Sequence, residues 1–159
     1  MNITITNRQR TKKINTRLLK QIVNGLFGEL GMEDGELGIN LVGAKEMTKV
    51  NGEFLRHAGS TDVITFDYTT AAPGVMPPTL HGELFVCVTE AILQAKQFGT
   101  SWQSEVVRYS VHGVLHLLGH DDLKPYLRRK MKREENRLVR RLTKRFSLAQ
   151  LSRTVKLGA

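Results

Sequence analysis

Apolar positions along the chain change period several times, and each change marks an element. Ile3-Thr4-Ile5-Thr6 alternates every second residue, the spacing of a short strand with one buried face. From Asn15 to Leu30, residues Leu18, Leu19, Ile22, Val23, Leu26, Phe27 and Leu30 recur every three or four positions. That stretch predicts an amphipathic helix with Gly31 as its stop. Glu36 to Val42 alternates again and predicts a second strand, followed by a helix over Ala44 to Leu55 that Asn51-Gly52 interrupts. Asp62 to Phe66 and Glu83 to Val88 read as strands. Between them, residues 71–80 hold Pro73, Gly74, Pro77 and Pro78, a loop composition. Thr89 to Phe98 predicts a helix that Gly99 ends.

Thr100-Ser101-Trp102-Gln103 fits a capping box, with Thr100 as the cap and Gln103 reaching back to it. The helix it opens runs to about Leu118 and is nearly all apolar from Val106, so it should be central and buried. At 100° per residue, Glu105, Tyr109, His112 and His116 share one stripe of it. Polar groups on a buried helix need partners. Pro125 begins a last, basic helix to about Lys144. The pattern predicts a single α+β domain over residues 1–146: a mixed sheet of about four strands, packed by about five helices. Residues 147–159 are expected to form a loosely ordered tail.

Candidate chemistry sits at the end of the central helix, in His112-Gly113-Val114-Leu115-His116-Leu117-Leu118-Gly119-His120-Asp121-Asp122. Positions i and i+4 lie on one face of a helix, so His112 and His116 can grip one divalent cation. Gly119 lets the chain leave the helix and bring a third ligand around. Three of the five histidines fall within nine residues, 112–120, which points to a metal rather than to coincidence. Three ligands with an open position are the mark of a catalytic metal site, where water becomes a nucleophile near neutral pH. Zinc peptidases place a general-base Glu directly after the first His. Here that position is Gly113, so peptide hydrolysis lacks its usual proton acceptor. The ligand motif of zinc deaminases, rich in proline and cysteine, is missing as well.

Charge narrows the substrate. The net charge is +9, and it is concentrated. Residues 8–20 carry six Lys or Arg with no acid, and residues 124–145 carry eleven against Glu134 and Glu135. Such segments favour phosphate-rich partners; Arg128, Arg129, Lys132 and Arg133 are the candidate nucleic-acid contacts. Aromatic residues number only ten, so stacking on an aromatic platform is not expected to be the main binding mode. No apolar run reaches the ~18 residues of a membrane span. The N-terminus lacks a secretion signal, and the single Cys87 excludes an internal disulfide. A cytoplasmic protein without membrane or disulfide-linked partners is expected.

With these residues in view, the chain resembles the YbeY-type endoribonucleases, the bacterial ribosomal RNA maturation factors. Their helix motif H-G-x-L-H-L-x-G-[YH]-D-H stands here as H-G-V-L-H-L-L-G-H-D-D over residues 112–122. A second family segment appears as Asn51-Gly52-Glu53-Phe54-Leu55-Arg56 and Thr61-Asp62-Val63-Ile64-Thr65-Phe66. Gly82-Glu83-Leu84 and the helix with Gln94-Ala95 before Gly99 match further, so the resemblance spans roughly residues 36–138. It implies a single-domain α+β fold, one zinc per chain (or another divalent transition metal), and Arg56 acting on the phosphate. It also implies RNA and the ribosome or its small subunit as partners, in small-subunit ribosomal RNA end processing and ribosome quality control.

One departure concerns the third ligand. The family places a histidine at the last motif position, which is Asp122 here. A carboxylate oxygen can bind zinc at about 2.0–2.2 Å, so Asp122 is the expected ligand and His120 the alternative. Two other readings compete with a metal-dependent endoribonuclease: a metallopeptidase-like hydrolase, and a non-catalytic ribosome-binding factor whose metal only staples the helix to its loop.

Overall fold

A computed structural model describes residues 1–56, 59–69 and 79–152. Four strands form one sheet: β1 (Asn2–Asn7), β2 (Gly35–Val42), β3 (Val63–Asp67) and β4 (Leu80–Cys87), in the order β1-β2-β4-β3. β1, β2 and β4 run parallel, and β3 is antiparallel to β4 along one edge. Among the described residues there are five α-helices: α1 (Thr16–Glu29), α2 (Ala44–Phe54), α3 (Val88–Phe98), α4 (Trp102–Leu117) and α5 (Pro125–Arg145). The expected α+β domain is therefore present, with its mixed four-stranded sheet and five helices. The described part of the 71–80 loop starts only at residue 79, and the rest of it lies outside the described residues.

Alternation along the strands sorts side chains to two faces. Ile3, Leu37, Ile39, Leu41, Leu84 and Val86 join the main core with α1, α4 and α5. Val42, Ile64 and Cys87 face the other way, into a smaller cluster with Met47 and Val50 of α2. Cys87 is fully buried there. β4 begins at Leu80 rather than at Glu83, because Leu80, His81 and Gly82 pair with Gly35, Glu36 and Leu37 of the parallel neighbour. The prolines before Leu80 hid that start.

Two glycines let α4 lie close to β4. A Cβ at Gly113 would stand 2.8 Å and 2.9 Å from the Leu84 methyls, and one at Gly82 would stand 2.6 Å from a Leu117 methyl. α4 is thus pressed against the sheet by its own sequence, with Val106, Val111, Val114 and Leu115 essentially inaccessible. In the segment expected to be loose, Leu148–Ser152 forms a 3-10 helix whose Leu148 and Leu151 pack into the main core. Residues 153–159 lie outside the described residues. No helix among the described residues is long and apolar enough to cross a membrane.

Candidate metal centre

Both ends of α4 shape the site. At its start Ser101 Oγ accepts the Ser104 N–H at 3.1 Å, so the cap is Ser101 and not Thr100. The Thr100 hydroxyl is engaged elsewhere and donates to Glu105 Oε1 at 2.7 Å. Glu105 is only 7% exposed, and a buried carboxylate holds its place only with a donor. At the other end, Gly119 takes a φ of 95°, a left-handed backbone that favours glycine. The Gly119 and His120 N–H groups then donate to the His116 and Leu115 carbonyls. That turn carries the chain back past His116.

The turn brings Asp122 to the two helical histidines. His112 Nε2 and His116 Nε2 are 3.2 Å apart, and Asp122 Oδ2 is 3.6 Å from His116 Nε2. All three ligand atoms lie within 4.8 Å of one another. A tetrahedral zinc site with bonds of about 2.0–2.1 Å has donors separated by roughly 3.3 Å, so the spacing and the two-nitrogen, one-oxygen set suit a divalent transition metal. Asp122 and His116 are partly exposed, which leaves the cluster accessible. His120 does not join this group: it lines a separate groove with Arg133 and Glu134.

A buried carboxylate fixes the ring of His112, the first of the three candidate ligands. Glu135, from α5, accepts a hydrogen bond from His112 Nδ1 at 2.7 Å. A carboxylate accepts only, so Nδ1 carries the proton and the Nε2 lone pair of the neutral ring is free for a metal. Glu135 is held in turn by Arg108 Nη1 at 2.7 Å and Lys132 Nζ at 3.0 Å. Burial opposes its charge, but His112, Arg108 and Lys132 outweigh that and bring its carboxyl down to about 2. His116 moves below the ordinary imidazole value, first because burial disfavours its cation and then because His112 adjoins it. It therefore stays neutral, and able to ligate, to a lower pH than a free imidazole.

The cluster opens into a cavity of about 650 Å³ between α3, α4 and α5. Arg128, Arg129 and Lys132 line it, and Arg128 Nε also donates to the Asp122 carbonyl at 3.1 Å. Arg133 is turned away into the groove with His120. Asp62 lines the cavity and also caps its own strand, accepting the Val63 N–H at 2.8 Å. Arg56 is exposed just beyond α2, with a left-handed φ of 55°, and is not among the residues lining the cavity. Gly113 points the other way, into Leu84. A glutamate there would enter the core, so the peptidase base has no room as well as no residue.

Three contributors were missed in the sequence. Glu135 reads there as an ordinary helix ion-pair partner, although it is one of only two acids in a basic stretch. Arg108 and Asn136 hydrogen-bond each other beside it, at 2.8 Å. The signal was the polar stripe on α4, which demanded a partner without naming it.

The family model described as Endoribonuclease YbeY matches residues 4–143. A protein named Endoribonuclease YbeY from Elusimicrobium minutum is 37% identical over 126 residues, 78% of this chain and 86% of that one. Another of that name from Chlorobium luteolum is 30% identical over 142 residues, 89% of this chain and 98% of its own. The solution structure of TM1509 from Thermotoga maritima is similar in fold, with a TM-score of 0.65 over 99% of both chains at 22% identity. The match of a family model to most of the sequence, together with relatives of this identity and coverage, shows that the chain belongs to the YbeY endoribonuclease family.

Proposed function

We propose that this protein is a zinc-dependent endoribonuclease of ribosomal RNA maturation, cutting at the cavity lined by His112 and Asp122, with His116 beside them. The observation that carries the reading is that two of these donors, His112 and Asp122, share one cavity with the cationic side chains of Arg128, Arg129 and Lys132, while His116 adjoins them. Its relatives are named for RNA cleavage. His112, His116 and Asp122 hold the metal, one per chain. When bound, a divalent ion there supplies Lewis acidity toward a phosphoryl oxygen and toward water.

The chain's own residues do the rest. Glu135 orients His112 and fixes its tautomer through the Nδ1 bond. Arg128 and Arg129 present guanidinium groups to the phosphates flanking the cut. Lys132 and Arg108 are already engaged by Glu135, so they add field more than direct contacts. Asp122 is anionic where the family has histidine; it offsets part of the metal's charge, which raises the pH at which activity develops. Arg56, just beyond α2 and outside the cavity lining, is the residue the family resemblance assigns to the phosphate, where a guanidinium would stabilise charge as the bond breaks. Arg133 widens the basic surface for the same strand. The substrate is the end region of small-subunit ribosomal RNA, met on the ribosome or its small subunit in the cytoplasm.

The test is cleavage of precursor small-subunit RNA by protein loaded with zinc, with and without a chelator. Cleavage that disappears on chelation and returns with zinc supports the reading. Stoichiometric metal without cleavage on any RNA favours the non-catalytic ribosome factor instead.

A further inference from the structure

α5 carries cations on two faces, and only one of those faces borders the metal cavity. Lys130, Arg133, Arg137 and Arg140 recur at steps of three, four and three residues, so they form a single row about 15 Å long. That row lies opposite Met131, Leu138 and Leu142, which enter the core. Together with His120, Glu134 and Asn136 it lines a groove of about 600 Å³. All four basic residues are exposed, so their charged ends are open to a ligand.

Pairing along the helix is uneven. Arg141 and Arg145 share Glu29 of α1, and Lys132 joins Arg108 on Glu135. In the groove only Arg137 is paired, with its Nε donating to Glu134 at 3.1 Å. Lys130, Arg133 and Arg140 have no ion-pair partner among the described residues. Like charges three or four residues apart on a helix repel, and Lys130–Arg133, Arg133–Arg137 and Arg137–Arg140 are all so placed. A solvated helix face ordinarily alternates such cations with acids. Here Glu134 is the one acid that lines the groove among the described residues. Anions from outside the chain relieve a row of this kind.

We infer that this groove is a second phosphate subsite, outside the metal cavity, which holds the backbone of an RNA strand whose cut phosphate lies at the metal. A free phosphate or a mononucleotide calls for donors that converge on one point. Cations set out along a row fit a chain of phosphates instead. His120 lines the groove and Asp122 lines the cavity, and their Cα atoms stand within about 7 Å because one residue separates them. A strand at the metal therefore crosses the turn at residues 119–122 and reaches the row with little added length. Lys130, Arg133 and Arg140 are positioning residues: they hold flanking backbone rather than the reacting phosphate, and such contacts carry no base preference. The favoured substrate extends past the cut on that side, so short strands bind less tightly. The inference rests on the RNA-cleavage reading for the place of the cut, while strand binding is measured without cleavage.

The test is fluorescence anisotropy of labelled 2′-O-methyl oligouridylates on zinc-loaded protein, with strand integrity checked on a gel. Two lengths are used, about 4 and about 16 nucleotides, the range of strand that one small domain holds. The longer strand should bind more tightly and shift the amides of residues 130–140 in NMR spectra. Lys130→Gln/Arg133→Gln/Arg140→Gln removes three exposed cations and no ion pair, so it preserves the fold. For the longer strand, the slope of log K against log salt should become shallower by about 2, from three phosphates at about 0.7 each. Binding of the shorter strand, held at the metal, should be nearly unchanged. Lys45→Gln/Lys49→Gln/Lys96→Gln removes the same charge from exposed positions on α2 and α3, and should leave the slope in place. An unchanged slope in the groove variant would overturn the inference and leave the row to an acidic protein segment. An equal loss in the α2 and α3 variant would overturn it too, as an effect of net charge alone. Failure of the RNA-cleavage reading appears separately, as precursor RNA left intact by zinc-loaded protein that still binds the longer strand through the groove.

Discussion

Replacing Glu135 by Gln tests the support behind His112, a proposed metal ligand. The change keeps the shape of the side chain and removes its charge. In the structure that charge accepts bonds from His112, Arg108 and Lys132, with the Glu135 side chain only 4% exposed. Its carboxyl lies at about 2 against an ordinary 4.5. At 1.36 kcal/mol per pH unit, that difference corresponds to about 3 kcal/mol of stability. Because the folded value is depressed, this stability is complete above pH ~4.5 and is lost as the pH falls toward ~2. Urea unfolding of metal-stripped wild type and Glu135→Gln, from pH 7 down to pH 2.5, should show a gap of about 3 kcal/mol that closes on acidification. Metal affinity, measured against a chromophoric chelator, should fall about 10–100-fold, as when a ligand loses its orienting partner. A stability gap independent of pH, together with unchanged metal affinity, would refute the assignment of Glu135 as the group that holds His112.

The other predictions concern the ligands, the packing and the phosphate. Asp122→Ala should lose metal affinity and His120→Ala should keep it, because His120 lines a different groove; the reverse result by chelator competition would make His120 the ligand. Gly113→Ala should destabilise the protein by about 1–3 kcal/mol in urea unfolding, despite alanine's better helix propensity, because the new methyl meets Leu84 in a closed core; a stabilised variant would show that α4 can lift off β4. Arg56→Ala should slow RNA cleavage on the order of 100-fold and leave metal affinity intact. Cleavage at the wild-type rate would leave Arg56 as an ordinary exposed residue at the end of α2.

Much of the fold was written in local periodicity. The strands and α1 follow from alternation or helical spacing, since one buried face fixes which residues must be apolar. Boundaries were less legible. Thr100 and Ser101 are both good caps, and only the demand of buried Glu105 for a donor decides between them. The start of β4 depended on pairing with β2, which lies 45 residues away at Gly35↔Leu80. The 3-10 helix at Leu148–Ser152 was hidden because two leucines in a short tail carry no period; only the core they enter reveals it.

The site divides the same way. His112 and His116 are a helical pair and could be read from spacing; the glycine turn is local too, but spacing alone left Asp122 and His120 both open as the third residue, and it was the family resemblance that favoured Asp122. Glu135 is 23 positions from His112 and meets it only because α5 packs on α4. The basic helix was legible as a charge, but its faces were not. Arg128, Arg129 and Lys132 turn toward the metal cluster while Arg133 joins His120 on the far side.

Whether cleavage depends on a metal held by His112, His116 and Asp122 can be read from one titration. Protein stripped with chelator is incubated with precursor small-subunit RNA while zinc is added from zero to several equivalents. No cleavage is expected without metal, and activity should rise and level off at one zinc per chain. His116→Ala should stay inactive throughout that range. Cleavage that proceeds undiminished in the stripped protein, or in His116→Ala, would contradict a metal-dependent reaction at this site.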